Sequence, residues 1–184
     1  MTRIKFSFWA LCIGLTVLWI EADPLRTGGG TFAQTRLSLI NYTGIIAMGA
    51  MSVAMMLALR SISLEPHMGG LDKSYRLHKW LGVAALVMAI AHWLWISAPG
   101  WLGLMAQPAR GASAAGRPAS GPALLRTLQG PARSVGEWCF YATVVLVILA
   151  LIRWFPYRYF LQTHRLLAVV FLVLVFHSLV LMKL

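Results

Sequence analysis

The chain has 184 residues, of which 59% are hydrophobic and only five are acidic, and its formal net charge at pH 7 is +11. A soluble domain of this length carries far more charge on its surface, so the composition excludes an ordinary soluble enzyme and indicates a membrane protein. The basic residues flank apolar runs instead of covering one face, which favours membrane lipid over nucleic acid as their partner.

Five apolar runs approach the ~20 residues that a helix needs to cross a bilayer. Together they predict a single all-α domain, a polytopic membrane helical bundle over residues 1–184. Arg3 and Lys5 before the first run are also typical of a signal peptide, but "WIEADPL" offers no clear cleavage site, so we interpret this run as a helix. The predicted spans are Ile4–Ile20, Leu37–Leu59, Leu77–Ser97, Gly136–Phe155 and Leu161–Met182.

The connections between these runs differ in length and composition. Residues 60–76 form a short connection that contains His67, which we interpret as a surface residue. The segment Ala98–Val135 is long and rich in Ala, Gly, Pro and Arg, and predicts an irregular or partly disordered cap. A short turn, "RWFPYRYF", joins the last two runs through Pro156.

The distribution of basic residues predicts the orientation of the bundle. With the N-terminus in the cytoplasm, nine basic residues fall on the inner side and seven on the outer side. This modest bias has the direction that the positive-inside rule requires. We therefore expect a multi-pass protein with a cytoplasmic N-terminus.

The two cysteines limit the kinds of redox centre. Cys12 lies in the first run and Cys139 in the fourth, and no CxxC pair occurs. This excludes a cysteine-held iron–sulfur cluster and the CxxCH attachment of a c-type haem. We interpret both as small packing residues.

Four histidines mark the ends of two spans. His78 and His92 lie in the third run, and His164 and His177 in the fifth. Both runs are predicted to cross from inside to outside, so each end of the bundle receives two histidines. Their separations, 14 and 13 residues, correspond to about 21 Å and about 20 Å along an ideal helix. Two pairs of imidazoles at two heights predict two stacked haems, each held by one pair.

The small residues of the third run have two readings. They lie between the two histidines on one helical face, which leaves room for a flat ligand or lets two helices pack closely. The members of this stripe are His78, Gly82, Ala85, Ala89 and His92.

The fifth run is less regular. Thirteen residues advance an ideal helix by about 3.6 turns, so His164 and His177 are not on one face. Either the two haem planes are rotated relative to each other or the helix is locally distorted. In each ligand one ring nitrogen would bind iron, and we expect the other to donate to a carbonyl one turn away.

The stretches "LDKSYRLHKWLG…AHW" and "THRLLAVVFLVLVFH" resemble the bis-haem transmembrane core of the ferric reductase and NADPH oxidase superfamily, most closely its bacterial members. The resemblance extends over the second to fifth spans and rests on the histidine spacings, the "LDK" and a basic residue after each inner histidine. It implies a bacterial inner membrane protein. The implied site residues are His78 and His164 as axial ligands of the inner haem b, His92 and His177 as those of the outer haem b, and Lys79 and Arg165 at the inner haem propionates.

The resemblance also implies partners. Members of the family carry a sixth span, expected beyond Leu184, and then a domain that binds FAD and NAD(P)H and feeds the inner haem. We expect this cytoplasmic flavin domain on another part of the protein or on a separate subunit. Single electrons would then reach an external acceptor, either O2, giving superoxide, or ferric iron.

Two outer residues bear on the acceptor. In the oxidases an arginine that matches Arg36 lies over the outer haem near the oxygen site, although an interfacial anchor is an equally good interpretation of Arg36. An additional outer histidine of the oxidases corresponds to Ile96 here. This difference argues against an oxidase-type oxygen site.

Three other functions are open. A quinol- or ascorbate-linked cytochrome b also holds two haems but needs no flavin. The haem subunit of a methionine-sulfoxide reductase system is related, but it lacks the inner ligand that His78 supplies. A transporter or channel with a histidine proton relay is the interpretation that involves no enzyme.

Overall fold

Five long helices make up the part of the chain that the structure, a computed structural model, describes: residues 2–22, 32–59, 70–102 and 123–181. All five are long and apolar enough to cross a membrane. The prediction of an all-α bundle with five spans is confirmed. His67 lies outside the described residues. The helices are α1 (Thr2–Ala22), α2 (Phe32–Ala58), α3 (Leu71–Trp101), α4 (Ala123–Leu151) and α5 (Tyr157–Leu181).

The outward surface of the bundle is apolar. Large side chains such as Val169, Leu172 and Leu179 are each more than half exposed. A soluble protein rarely exposes apolar surface on this scale, whereas lipid tails cover it without cost. Within each helix the backbone hydrogen bonds are satisfied internally, as the hydrocarbon region requires.

The helices are arranged as two hairpins. α2 packs along most of α3, and α4 packs along α5, whereas contacts between the two hairpins are few. α1 lies mainly against α2. The core between α2 and α3 consists of Ala50, Ala54, Leu57, Leu77, Leu81 and Ala85, with Phe8 and Leu11 of α1 packed against it. The loose junction between the hairpins is therefore where the fold has room for a ligand.

The prediction of an irregular cap over Ala98–Val135 is wrong at both ends of this segment. α3 continues to Trp101, and α4 already begins at Ala123. Pro99 and Pro131 lie inside these helices. Membrane helices tolerate proline when neighbouring groups take over the freed carbonyls. The middle of the cap, residues 103–122, lies outside the described residues.

The turn between the last two helices is confirmed, but the predicted end of the fourth span at Phe155 is one turn too late. α4 ends at Leu151. The carbonyl of Pro156 accepts hydrogen bonds from the backbone N–H groups of Tyr159 and Phe160, both at 3.0 Å. Proline suits the start of a helix because its missing N–H would have no partner there.

Candidate functional site

The inner histidines of α3 and α5 lie side by side. The ring centres of His78 and His164 are 5.8 Å apart, with an angle of 62° between the ring planes. Two imidazoles that bind one metal ion at ~2 Å each have their ring centres ~6 Å apart. The spacing of this pair therefore fits an iron atom between the two rings. The inner end of the bundle is the end that holds His78, and the outer end is the end that holds His92.

The outer histidines occupy the same two helices nearer their C-terminal ends. His92 belongs to α3 and His177 to α5. At the inner level the structure brings together one histidine of α3 and one of α5, and the pairing of His92 with His177 stays a prediction. Among the described residues, no three His, Cys, Asp or Glu side chains gather into a larger cluster. The chemistry of the site therefore depends on pairs of imidazoles.

Three of the four imidazoles have a defined proton position. Nδ1 lies 2.9 Å from the carbonyl oxygen of Ala54 in His78 and 2.9 Å from that of Ile40 in His92. In His177 it lies 2.8 Å from the carbonyl oxygen of Ala132. A carbonyl oxygen can only accept, so Nδ1 must carry the proton in all three rings. Each Nε2 then presents its lone pair, which is the form that binds iron.

The expectation that these carbonyls lie one turn away on the same helix is wrong. Ala54 and Ile40 belong to α2, and Ala132 belongs to α4. A helix directs its own carbonyls along its axis into its own hydrogen bonds, so a ring that points sideways meets the carbonyls of the next helix. The two hairpins thus hold their histidines across the helix–helix contact.

His92 has a second polar neighbour on α2. The hydroxyl oxygen of Thr43, which is buried, lies 3.4 Å from Nδ1 of His92. That hydroxyl donates its own proton to the carbonyl of Leu39 at 2.8 Å. Its oxygen is therefore a weak second acceptor beside the carbonyl of Ile40. Sequence reasoning missed this residue.

His164 differs from the other three. Its Nδ1 is buried and has no hydrogen-bond partner among the described residues. Its ring instead stacks on Phe160, one turn earlier in α5, with the ring centres 5.1 Å apart and an angle of 16°. His164 is therefore held by aromatic contact alone, and its proton position is not defined by a partner.

The small residues between the histidines of α3 lie in two different surroundings. A Cβ atom added at Gly82 would meet no atom within 4 Å, so the space beside this glycine is open. Ala85, by contrast, is only 4% exposed and packs in the core against α2. The stripe leaves room at one position and permits close helix packing at another.

Arg36 joins α2 to the C-terminal end of α3, which contains Pro99. Its Nε donates to the carbonyl of Trp95 at 2.8 Å, and its Nη2 donates to that of Ile96 at 2.9 Å. Residue 99, four positions after Trp95, is Pro99, which has no N–H to offer this carbonyl. Arg36 thus replaces the missing helical hydrogen bond. The predicted contact of Arg36 with the acceptor stays a prediction.

The remaining predicted residues lie at the surface or stand alone. Lys79 and Arg165 are exposed at the inner end, each directly after an inner histidine, and their contact with haem propionates stays a prediction. Cys12 and Cys139 are free thiols on different helices.

Among known proteins, one family matches the chain. A family model described as "Ferric reductase like transmembrane component" matches residues 43–175. The match includes His78, His92 and His164 and ends two residues before His177. No curated protein and no solved structure matches the chain significantly.

Proposed function

The chain belongs to the ferric reductase-like transmembrane family of electron-transferring oxidoreductases, and we propose that it moves single electrons through two bis-histidine b-type haems. His78 and His164 would hold the inner haem, and His92 and His177 the outer one. When bound, these haems supply one-electron carriers. The electrons would come from a cytoplasmic flavin, fed by NAD(P)H on another domain or subunit.

The acceptor in this proposal lies outside the membrane and is O2, giving superoxide, or ferric iron. Two histidines would hold each haem and leave no open position on its iron, so the acceptor would take its electron without binding to iron. The membrane would be the bacterial inner membrane, with the N-terminus of α1 in the cytoplasm.

The observation that carries this proposal is the arrangement of the imidazoles. His78 of α3 and His164 of α5 lie side by side, and three of the four imidazoles have their Nδ1 bonded to a carbonyl. A proton relay is less well supported, because a backbone carbonyl does not take up the proton that a relay must pass on. Ligation of haem iron instead uses the nitrogen that these bonds leave free.

The haem content of the purified chain tests the proposal. A pyridine haemochromogen assay should give two haems b per chain, and the absorption spectrum should be that of six-coordinate, low-spin iron. One haem or none per chain would contradict the proposal. The dithionite-reduced chain should also reoxidise in air, whereas NAD(P)H should not reduce it without a flavin partner.

A further inference from the structure

Each outer histidine lies over a glycine of the neighbouring helix. A Cβ atom added at Gly44 of α2 would come within 3.3 Å of Cε1 and Nδ1 of His92. A Cβ atom added at Gly136 of α4 would overlap the same two ring atoms of His177. Both glycines therefore give an imidazole space that any other residue would fill at least in part.

These glycines have the same place relative to the hydrogen-bonded carbonyls. His92 bonds the carbonyl of Ile40, four residues before Gly44, and His177 bonds that of Ala132, four residues before Gly136. In an α-helix the carbonyl of residue i points toward residue i+4. A ring that donates to this carbonyl must therefore lie over residue i+4. We call this combination of carbonyl and glycine a glycine seat.

Within the described helices, the glycine seat occurs once in each hairpin, both times at the outer level. At the inner level, His78 bonds the carbonyl of Ala54, and residue i+4 is Ala58, the exposed last residue of α2. The residue under this ring carries a Cβ atom, so His78 has no glycine seat. His164 has no carbonyl partner among the described residues.

We propose that Gly44 and Gly136 are positioning residues for the outer haem. They let His92 and His177 approach the carbonyls of the neighbouring helix closely enough to fix Nδ1 as the protonated nitrogen. The two nitrogens of an imidazole point in nearly opposite directions, so each Nε2 turns away from the helix that holds the ring. This proposal rests on the proposed function, since it assigns the outer pair of histidines to haem.

The two seats are not equally tight. At Gly136 a methyl group overlaps the ring itself, and the ring is held in place by its bond to Ala132. To make room, His177 must leave this carbonyl, which turns the ring and leaves its partly buried N–H without this partner. At Gly44 a shift of a few tenths of an ångström is sufficient for a contact of 3.3 Å. Gly136→Ala should therefore disturb the outer haem more than Gly44→Ala.

A matched control lies on the same helix. A Cβ atom added at Gly130 would meet no atom within 4 Å, and Gly130 is exposed. Alanine is the better helix former, but a Cβ atom directly before Pro131 disfavours the helical conformation, so Gly130→Ala reports how an added methyl group affects α4 itself. Any loss of haem in Gly136→Ala but not in Gly130→Ala would then come from the seat and not from a change of helix propensity.

The experiment compares these variants by haem content and by electron paramagnetic resonance of the oxidised protein. Gly136→Ala should lose one of two haems or convert one low-spin signal to high-spin. Gly44→Ala should keep both haems with one shifted low-spin signal, and Gly130→Ala should match the wild type.

Combining Gly136→Ala with histidine variants identifies which of the two haems Gly136 affects. In His92→Leu, which keeps only the inner haem, Gly136→Ala should have no effect. In His78→Leu, which keeps only the outer haem, Gly136→Ala should remove or alter the remaining signal. If Gly136 had only a structural role, Gly136→Ala would instead lower the content of both haems together.

Two results would overturn the inference while leaving the proposed function intact. One is a Gly136→Ala variant with two haems and the wild-type resonance spectrum. The other is a Gly136→Ala variant that loses the inner and the outer haem equally. A wild-type chain that binds no haem would instead overturn the proposed function itself, so the two failures are distinguishable.

Discussion

At the outer level of the bundle both histidines donate to a backbone carbonyl and lie over a glycine, whereas at the inner level only His78 has a carbonyl partner. His164 is held by stacking on Phe160. A buried ring nitrogen without a hydrogen-bond partner costs about 1–3 kcal/mol, so the orientation of His164 is less strongly fixed than that of the other three. Both outer rings are thus fixed by hydrogen bonds to a neighbouring helix, whereas one inner ring is fixed by stacking.

The comparison matters for the proposed electron path. An imidazole whose Nδ1–H is hydrogen-bonded is a more basic ligand and keeps a defined orientation. The outer haem would have two such ligands and the inner haem one. We therefore expect the inner haem to be the one at which an axial ligand is more easily displaced.

The largest expected effect is the loss of whole haems by level. His92→Leu or His177→Leu should remove the outer haem and leave the inner one, because a single remaining imidazole rarely holds haem in a bis-histidine site. His78→Leu or His164→Leu should do the converse. Each variant should contain one haem per chain by the pyridine haemochromogen assay, and His67→Leu, the control, should keep two. If His78→Leu and His177→Leu abolished the same spectral component, the pairing by level would be wrong.

Loss of Arg36 should weaken the outer end of the bundle. Arg36→Ala removes two charge-assisted hydrogen bonds to α3 and should lower the free energy of unfolding by about 2 kcal/mol. Thermal unfolding followed by haem release measures this. Stopped-flow reoxidation in air, at equal haem content, tests the separate role at the acceptor. A slower rate would support that role, and an unchanged rate would leave Arg36 with the structural one.

A double-mutant cycle isolates the hydrogen bond that replaces the one lost at Pro99. Pro99→Ala supplies an N–H for the carbonyl of Trp95, so Arg36→Ala should cost about 1 kcal/mol less in the Pro99→Ala background. Equal costs in both backgrounds would show that Arg36 does not compensate for the proline.

Carbon monoxide should distinguish the two levels more finely. Displacing His164 breaks no Nδ1 hydrogen bond, whereas displacing an outer ligand breaks one of about 1 kcal/mol, or about fivefold in affinity. The dithionite-reduced His92→Leu variant loses an outer ligand and keeps only the inner haem, and it should bind carbon monoxide about fivefold more tightly than His78→Leu. If both variants were half-saturated at the same carbon monoxide concentration, the proposed difference between the two levels would be wrong.

The smallest expected effect concerns the aromatic contact of His164. Phe160→Ala removes a stacking interaction of about 0.5 to 1 kcal/mol, so carbon monoxide should bind the inner haem about two- to fivefold more tightly. Phe140→Ala is the matched control, because this ring stacks on Trp93 and not on His164. A similar change in both variants would indicate general loosening of the bundle.

The sequence predicted the features that depend on local pattern. The length of each apolar run identifies a membrane helix, because the bilayer thickness sets that length. The histidine spacings placed His78 with His164 and His92 with His177 at two levels, because a regular helix converts residue number into height. Neither inference needs to know which helix lies beside which.

The tertiary structure decided which groups meet between helices. Ile40 and Ala132 supply the carbonyls for His92 and His177, and Gly44 and Gly136 leave room for the rings, yet each glycine lies far from its histidine in the chain. Helix periodicity is similar for every apolar helix, so it does not specify the neighbour or the register of packing.

The proline-containing helices show the same division. From the sequence, Pro99 and Pro131 were expected to lie in an irregular segment, because proline lacks an N–H and breaks helices in water. In the folded bundle Arg36 of α2 donates to the carbonyl that Pro99 leaves free. The sequence does show that the carbonyl four residues before a proline lacks its helical hydrogen bond. Only the packing of α2 on α3 decides that Arg36 reaches this carbonyl.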